Sequence, residues 1–192
     1  MSPEAKASWF CSIADRNSNW EYHYFVTRDW VRGLGYMEEH WSNIRFMSLR
    51  NELGPPVFSP LLSPIAEPTT WQTWYDGIKQ GAAAIHPSNP DLLIYIQGQR
   101  DGVGLSKVVN GDALDRSPEI FRFDDFLGYA DKLVLEVHSY DSIDLPGILG
   151  GERPGKHDCE KLKKSLYEAG FSALSVNTTN QFPVILFELG WA

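Results

Sequence analysis

Four short apolar runs, separated by helical patterns, most strongly constrain how this chain can fold. They cover residues 44–49, 92–96, 133–137 and 184–187. The runs are nearly continuous in apolar character instead of alternating, which is typical of parallel strands covered on both faces. The pattern therefore predicts an α/β fold, in which parallel strands alternate with helices in a doubly wound sheet or a barrel.

Three stretches between these runs have the spacing of amphipathic helices. They cover residues 30–41, 71–85 and 159–169, with apolar side chains recurring every three or four positions. Pro87 is placed to stop the second helix, and Gly170 is placed to end the third.

Two further stretches predict long irregular segments. Residues 54–68 contain five prolines, and residues 98–132 are glycine-rich in their first half, with a helix expected only over 117–129. No internal repeat or linker divides the chain. We therefore expect a single domain over residues 1–192.

The charge balance and the cysteine content exclude several classes of function. The net charge is −8, and lysine and arginine are scattered, so no nucleic-acid partner is expected. No apolar run approaches membrane-spanning length, so no membrane insertion is expected, and the residues at the amino terminus do not predict a secretion signal. Cys11 and Cys159 are too few for a disulfide framework, and their pairing is left open. No metal or other cofactor is predicted, and the oligomeric state is left open.

Polar side chains that are capable of catalysis follow three of the four predicted strands. Glu52 follows the first strand, His138 and Tyr140 follow the third, and Glu188 follows the last. The second strand ends at Gln97, which is less informative. Because the carboxyl ends of parallel strands share one edge, these side chains are expected to meet in a cleft.

Glu188 directly follows five apolar residues, so a cleft or hydrogen bonds must solvate its carboxylate. A lone glutamate in such a place is more often a surface or capping residue, but Glu52 offers a second carboxylate. Two carboxylates that face each other across a cleft are the minimum equipment for cleaving a glycosidic bond. Asn51 could contact the sugar 2-hydroxyl. Glu136 is predicted to point away from the cleft towards a structural partner.

In their order along the chain, these motifs resemble those of glycoside hydrolase family 5. The matching motifs are Arg50-Asn51-Glu52, His138-x-Tyr140 and Glu188-x-Gly190. Upstream, Trp9-Phe10-Cys11-Ser12 and Asp15-x-Asn17 are similar to the loop after barrel strand three in fungal members.

The resemblance implies a part of a TIM (β/α)₈ barrel that covers strands four to seven. It implies that the chain is truncated at both ends of the barrel, and it implies an extracellular location. It also implies a role for each matching residue, with Glu52 as general acid/base, Glu188 as nucleophile, and substrate contacts or support from Asn51, His138, Tyr140 and Trp191.

The sequence thus predicts a glycosidase that hydrolyses a β-linked polysaccharide in the manner of an endo-β-1,4-glucanase, with retention. The expected partner is a polysaccharide or oligosaccharide. One alternative is a truncated, catalytically impaired fragment that only binds carbohydrate. Another is an unrelated α/β enzyme that uses Asp or His chemistry. The sequence has no nucleophile-elbow motif and no metal-ligand spacing, which makes this alternative less attractive.

Overall fold

A computed structural model describes residues 27–50, 71–98, 104–114, 118–141 and 159–191. Within these ranges lie four strands, β1 to β4, and four α-helices, α1 to α4. In chain order they are α1 (Thr27–His40), β1 (Phe46–Ser48), α2 (Trp71–Ile85), β2 (Leu93–Gln97), α3 (Ser106–Asn110), β3 (Leu133–Asp141), α4 (Cys159–Ala169) and β4 (Val184–Trp191).

The four strands form one parallel sheet in the order β1-β2-β3-β4, so each strand lies beside the next strand in sequence. The sheet curls into a half-barrel, and the helices cover its outer face. This confirms the prediction of a partial TIM barrel. It also resolves the choice between a doubly wound sheet and a barrel that the strand pattern had left open.

The core lies between the outer face of the sheet and the helices. Alternate strand residues face it, such as Ile94 and Ile96 of β2 and Leu135 and Val137 of β3. Parallel strands alternate their side chains, so the residues between these positions point into the barrel. On that inner face the rings of Phe46 and Phe187 and the side chain of Leu93 are exposed, at 45%, 44% and 38%.

Two tryptophans connect the helices to the carboxyl ends of the strands. Trp30 of α1 donates an indole hydrogen bond to the Leu49 carbonyl at 3.2 Å, and Trp74 of α2 donates one to the Gln97 carbonyl at 2.9 Å. Both indoles are buried. Each therefore fills the core and satisfies a strand-end carbonyl, which helps to fix the backbone where the site residues begin.

The three amphipathic helices and the four strands predicted from the sequence occur where it places them. The helix over 71–85 has the predicted bounds, α4 ends before Gly170, and all four strands overlap the predicted runs. Strands β3 and β4 extend beyond their apolar runs, because their polar ends remain in the ladder through Asp141 and Trp191. No helix of the described ranges has the length and apolar character needed to cross a membrane.

The expectation of a helix over residues 117–129 was wrong. The described part of that stretch contains the short 3₁₀ helix Phe123–Phe126, and the short helix α3 precedes it. Aromatic packing sets the path of the chain here, because Phe121 and Phe126 stack at 5.3 Å and both lie against Tyr75 of α2. Gly128 then adopts a φ of 92°, which a helix does not permit.

A pair of glycine variants tests the packing of α1 against α2 and β1. A Cβ at Gly81 would lie 2.9 Å from the Trp30 ring and 3.1 Å from the Leu49 side chain, whereas a Cβ at Gly33 would meet nothing within 4 Å. We expect Gly81→Ala to lower the free energy of unfolding by about 1–3 kcal/mol through overpacking. Gly33→Ala should raise it by about 0.5–1 kcal/mol through helix propensity. Urea unfolding followed by circular dichroism checks both, and equal effects would contradict the packing described.

Candidate active site

The polar side chains of the candidate site lie at the carboxyl ends of the four strands. Ser48 ends β1, Gln97 ends β2, Glu136 and His138 lie in β3, and Glu188 lies in β4. Their hydrogen bonds and close contacts run continuously from one strand to the next. They therefore lie on the inner face of the half-barrel, opposite the helix-covered core.

The centre of this cluster is the Glu136 carboxylate. Its Oε1 accepts a hydrogen bond from Gln97 Nε2 at 2.8 Å and lies 3.0 Å from His138 Nε2. Gln97 Nε2 also reaches the Ser48 hydroxyl at 3.4 Å. Glu136, His138 and Gln97 are almost completely buried. A carboxylate at such depth costs several kcal/mol unless it is hydrogen-bonded, and these two donors offset part of that cost.

Glu188 lies at the edge of the cluster and meets solvent. Its Oε2 is 3.8 Å from His138 Nδ1, and 35% of its side chain is exposed. The imidazole ring of His138 thus lies between two carboxylates, with Nε2 towards the buried Glu136 and Nδ1 towards the accessible Glu188.

An irregularity in β4 brings Glu188 to this position. Val137 of β3 pairs with Leu186, but the next residue, His138, pairs with Glu188, so one residue of β4 is extra. That residue is Phe187, and its ring contacts the inner-face rings of Tyr95 and Phe46 with centroids 6.0 and 5.8 Å away. Without the bulge, alternation would give the place opposite His138 to Phe187. The bulge therefore admits a carboxylate to the inner face.

The structure describes some of the predicted site residues and not others. His138 and Glu188 are brought together, as the strand-end pattern predicts. The backbones of Tyr140 and Trp191 pair with Gly190 and Asp141 in the β3-β4 ladder. Asn51 and Glu52 lie outside the described residues, as do Cys11 and the upstream motifs, so their predicted roles stay predictions.

The orientation of the Glu136 side chain contradicts the prediction. It was expected to point away from the cleft, but its carboxylate contacts His138. The physical reason is the period of a strand: residues two apart share a face, so Glu136 and His138 must lie on the same side. Gln97 was missed as a site residue. Its place at the end of a buried strand, equivalent to that of the other polar strand-end residues, was the signal that could have identified it.

The described residues contain no group of three or more His, Cys, Asp or Glu side chains arranged to hold a metal ion. The cluster contains a partly exposed carboxylate, Glu188, next to a buried histidine–carboxylate pair. Such an arrangement can present an oriented anionic oxygen to a ligand in the barrel mouth.

The chain is similar to several known proteins. No family model matches it. A protein named "Glycosyl hydrolase 5 family protein" from Chamaecyparis obtusa is 28% identical over 190 residues, which is 97% of this chain and 29% of that protein.

Solved structures of glucan-degrading enzymes have a similar fold. The β-glucanase of Saccharophagus degradans in complex with cellotetraose is matched with a TM-score of 0.58 and 15% identity, over 96% of this chain and 46% of that one. An endocellulase of Pyrococcus horikoshii with cellotetraose is matched with a TM-score of 0.58 and 16% identity, over 86% and 46%. The chain thus spans about half the length of these structures, and less of the Chamaecyparis protein. The resemblance predicted from the sequence is confirmed: the chain is similar to a protein named as a glycosyl hydrolase 5 family member, and it has the fold of about half of the barrel of these solved structures.

Proposed function

We propose that this chain carries the catalytic carboxylates of a retaining β-glycosidase that acts on a β-1,4-linked glucan. The observation that supports it most is the position of Glu188, partly exposed on the inner face at the carboxyl end of β4 and 3.8 Å from the buried His138. The similar enzymes of Saccharophagus degradans and Pyrococcus horikoshii are a β-glucanase and an endocellulase, and both bind cellotetraose. A short β-1,4-glucan is therefore the substrate class proposed for this chain.

The proposed reaction is a double displacement. Glu188 attacks the anomeric carbon while Glu52 protonates the departing glycosidic oxygen, which forms a glycosyl ester on Glu188. Glu52 then removes a proton from water, and the water oxygen displaces Glu188 from the anomeric carbon. Two inversions at that carbon give net retention, and no cofactor takes part.

The test of this proposal is the configuration of the first product. The 192-residue chain and a chimera in which it replaces the matched 190-residue region of the Chamaecyparis relative are incubated with cello-oligosaccharides. Proton NMR then follows the anomeric signal. We expect the β-anomer to appear first and the α-anomer only through mutarotation. Initial release of the α-anomer would exclude the double displacement.

A second candidate is a fragment that binds carbohydrate without cleaving it. The observation in its favour is the exposed inner face, where Phe46, Leu93 and Phe187 lack the packing that a closed barrel gives to inward-pointing residues. Calorimetric titration with cellotetraose, combined with a reducing-end assay, separates the two candidates. Binding without new reducing ends in both the chain and the chimera would favour the fragment that only binds.

A further inference from the structure

The buried carboxylate of Glu136 is the feature of the site that the proposed reaction leaves unused. Glu136 is 0% exposed, so its carboxylate cannot touch a substrate in the barrel mouth. In the described part of the chain its Oε1 has two partners, Gln97 and His138, whereas its Oε2 is buried without a hydrogen bond. Both donors thus converge on one oxygen atom.

This geometry indicates which nitrogen of His138 carries a hydrogen. An ionised carboxylate only accepts hydrogen bonds, so the contact of 3.0 Å between His138 Nε2 and Glu136 Oε1 requires Nε2 to donate. Gln97 Nε2 lies 3.3 Å from His138 Nε2. Because both of these atoms donate to Glu136, they are neighbours on a shared acceptor and form no bond with each other. The other ring nitrogen, Nδ1, faces Glu188, whose Oε2 lies 3.8 Å away.

We propose that Glu136, held by Gln97, is a positioning residue that keeps His138 in the Nε2–H form and turns its Nδ1 edge towards the Glu188 carboxylate. The inference rests on the proposed function, since it gives Glu188 the role of nucleophile. Carboxylates that fix the tautomer and orientation of a histidine in this way are a recurrent device of active sites. Glu136 acts through His138 and does not touch the reacting atoms.

The arrangement in the sheet supports this role. Glu136 and His138 share a face of one strand, so the backbone of β3 sets their separation. Gln97 is paired with Glu136 in the β2-β3 ladder, and the Gln97 carbonyl is fixed by Trp74. The β4 bulge places Glu188 opposite His138. Three adjacent strands therefore contribute one residue or more to a single line of contacts that ends at the proposed nucleophile.

The test is the tautomer of His138 in the full chain, measured by nitrogen-15 NMR in the wild type and in Glu136→Gln. We expect the wild type to show the Nε2–H form, and Glu136→Gln, which keeps the shape but can donate as well as accept, to show a mixture. In the form of the protein that hydrolyses cello-oligosaccharides, Glu136→Gln should lower kcat by about 10- to 100-fold with little change in KM.

Glu119→Gln is the matched control. Glu119 is also partly buried and bound by a lysine and a glutamine, Lys79 and Gln72, but it lies outside the cluster. The Glu119→Gln variant should leave the His138 spectrum and kcat unchanged.

A wild-type His138 that carries a hydrogen on Nδ1 and none on Nε2 would overturn the proposal, even if Glu136→Gln does not fold. An unchanged His138 spectrum and kcat in a folded Glu136→Gln would also overturn it. Failure of the proposed function gives a different result: no wild-type form would hydrolyse the glucan, while the tautomer measurement would stand by itself.

Discussion

Glu188→Gln should lower kcat/KM for cello-oligosaccharides by at least about 1,000-fold, which corresponds to about 4 kcal/mol of lost transition-state stabilisation. The amide has nearly the shape of the carboxylate, so contacts such as the one to His138 can persist. It lacks the negative charge and the nucleophilicity needed to form a glycosyl ester. Initial rates in the hydrolytically active form, with circular dichroism to confirm folding, check this expectation.

Glu168→Gln is the matched control for this variant. Glu168 lies on α4 with a side chain that is 64% exposed, and its ion pair with Lys164 is 3.7 Å long. The same change at that surface position should leave kcat/KM unaltered. Comparable activity in Glu188→Gln and Glu168→Gln would remove Glu188 from the reaction.

Trp74→Ala should have the largest effect on stability, about 3–5 kcal/mol. The indole is 0% exposed in the centre of the core, and its Nε1 donates to the Gln97 carbonyl. Truncation leaves a large cavity and an unsatisfied strand-end carbonyl together. Because single domains are stable by only about 5–15 kcal/mol, such a loss should shift the urea midpoint substantially.

Trp74→Phe separates the two contributions. It keeps an aromatic ring in the core but removes the indole hydrogen bond, so we expect a smaller loss, of about 1–3 kcal/mol. Urea unfolding of both variants is the measurement. A loss for Trp74→Ala below about 1 kcal/mol would show that α2 does not pack on the sheet as described.

The fold was predictable because its determinants are local. Apolar runs such as 133–137 are too continuous for a half-exposed strand, and the spacing within 71–85 is helical on one face. These patterns reflect burial, which the fold needs at most of these positions. The path through 118–129 was not predictable, because packing of Phe121 and Phe126 against Tyr75 of a distant helix decides it.

The site was predictable only in part. The position of His138 and Glu188 at strand ends was sufficient to bring them to one edge. Their contact depends on the bulge at Phe187, which breaks the alternation and which no local residue pattern indicated. The mistaken orientation of Glu136 was avoidable, since the two-residue period of a strand places it on the side of His138. The pairing of Glu136 with Gln97 across the sheet depends on strand register, which a single sequence does not specify.

The distance between the carboxyl groups of Glu52 and Glu188 shows whether the two glutamates act on the same glycosidic bond. It can be measured in a crystal structure of the catalytically active form with a bound cello-oligosaccharide. For a retaining enzyme we expect about 5–5.5 Å, with both groups facing the same glycosidic bond. A separation of about 6.5–9.5 Å would indicate inversion, and side chains that point to opposite rims of the barrel would exclude a shared catalytic cleft.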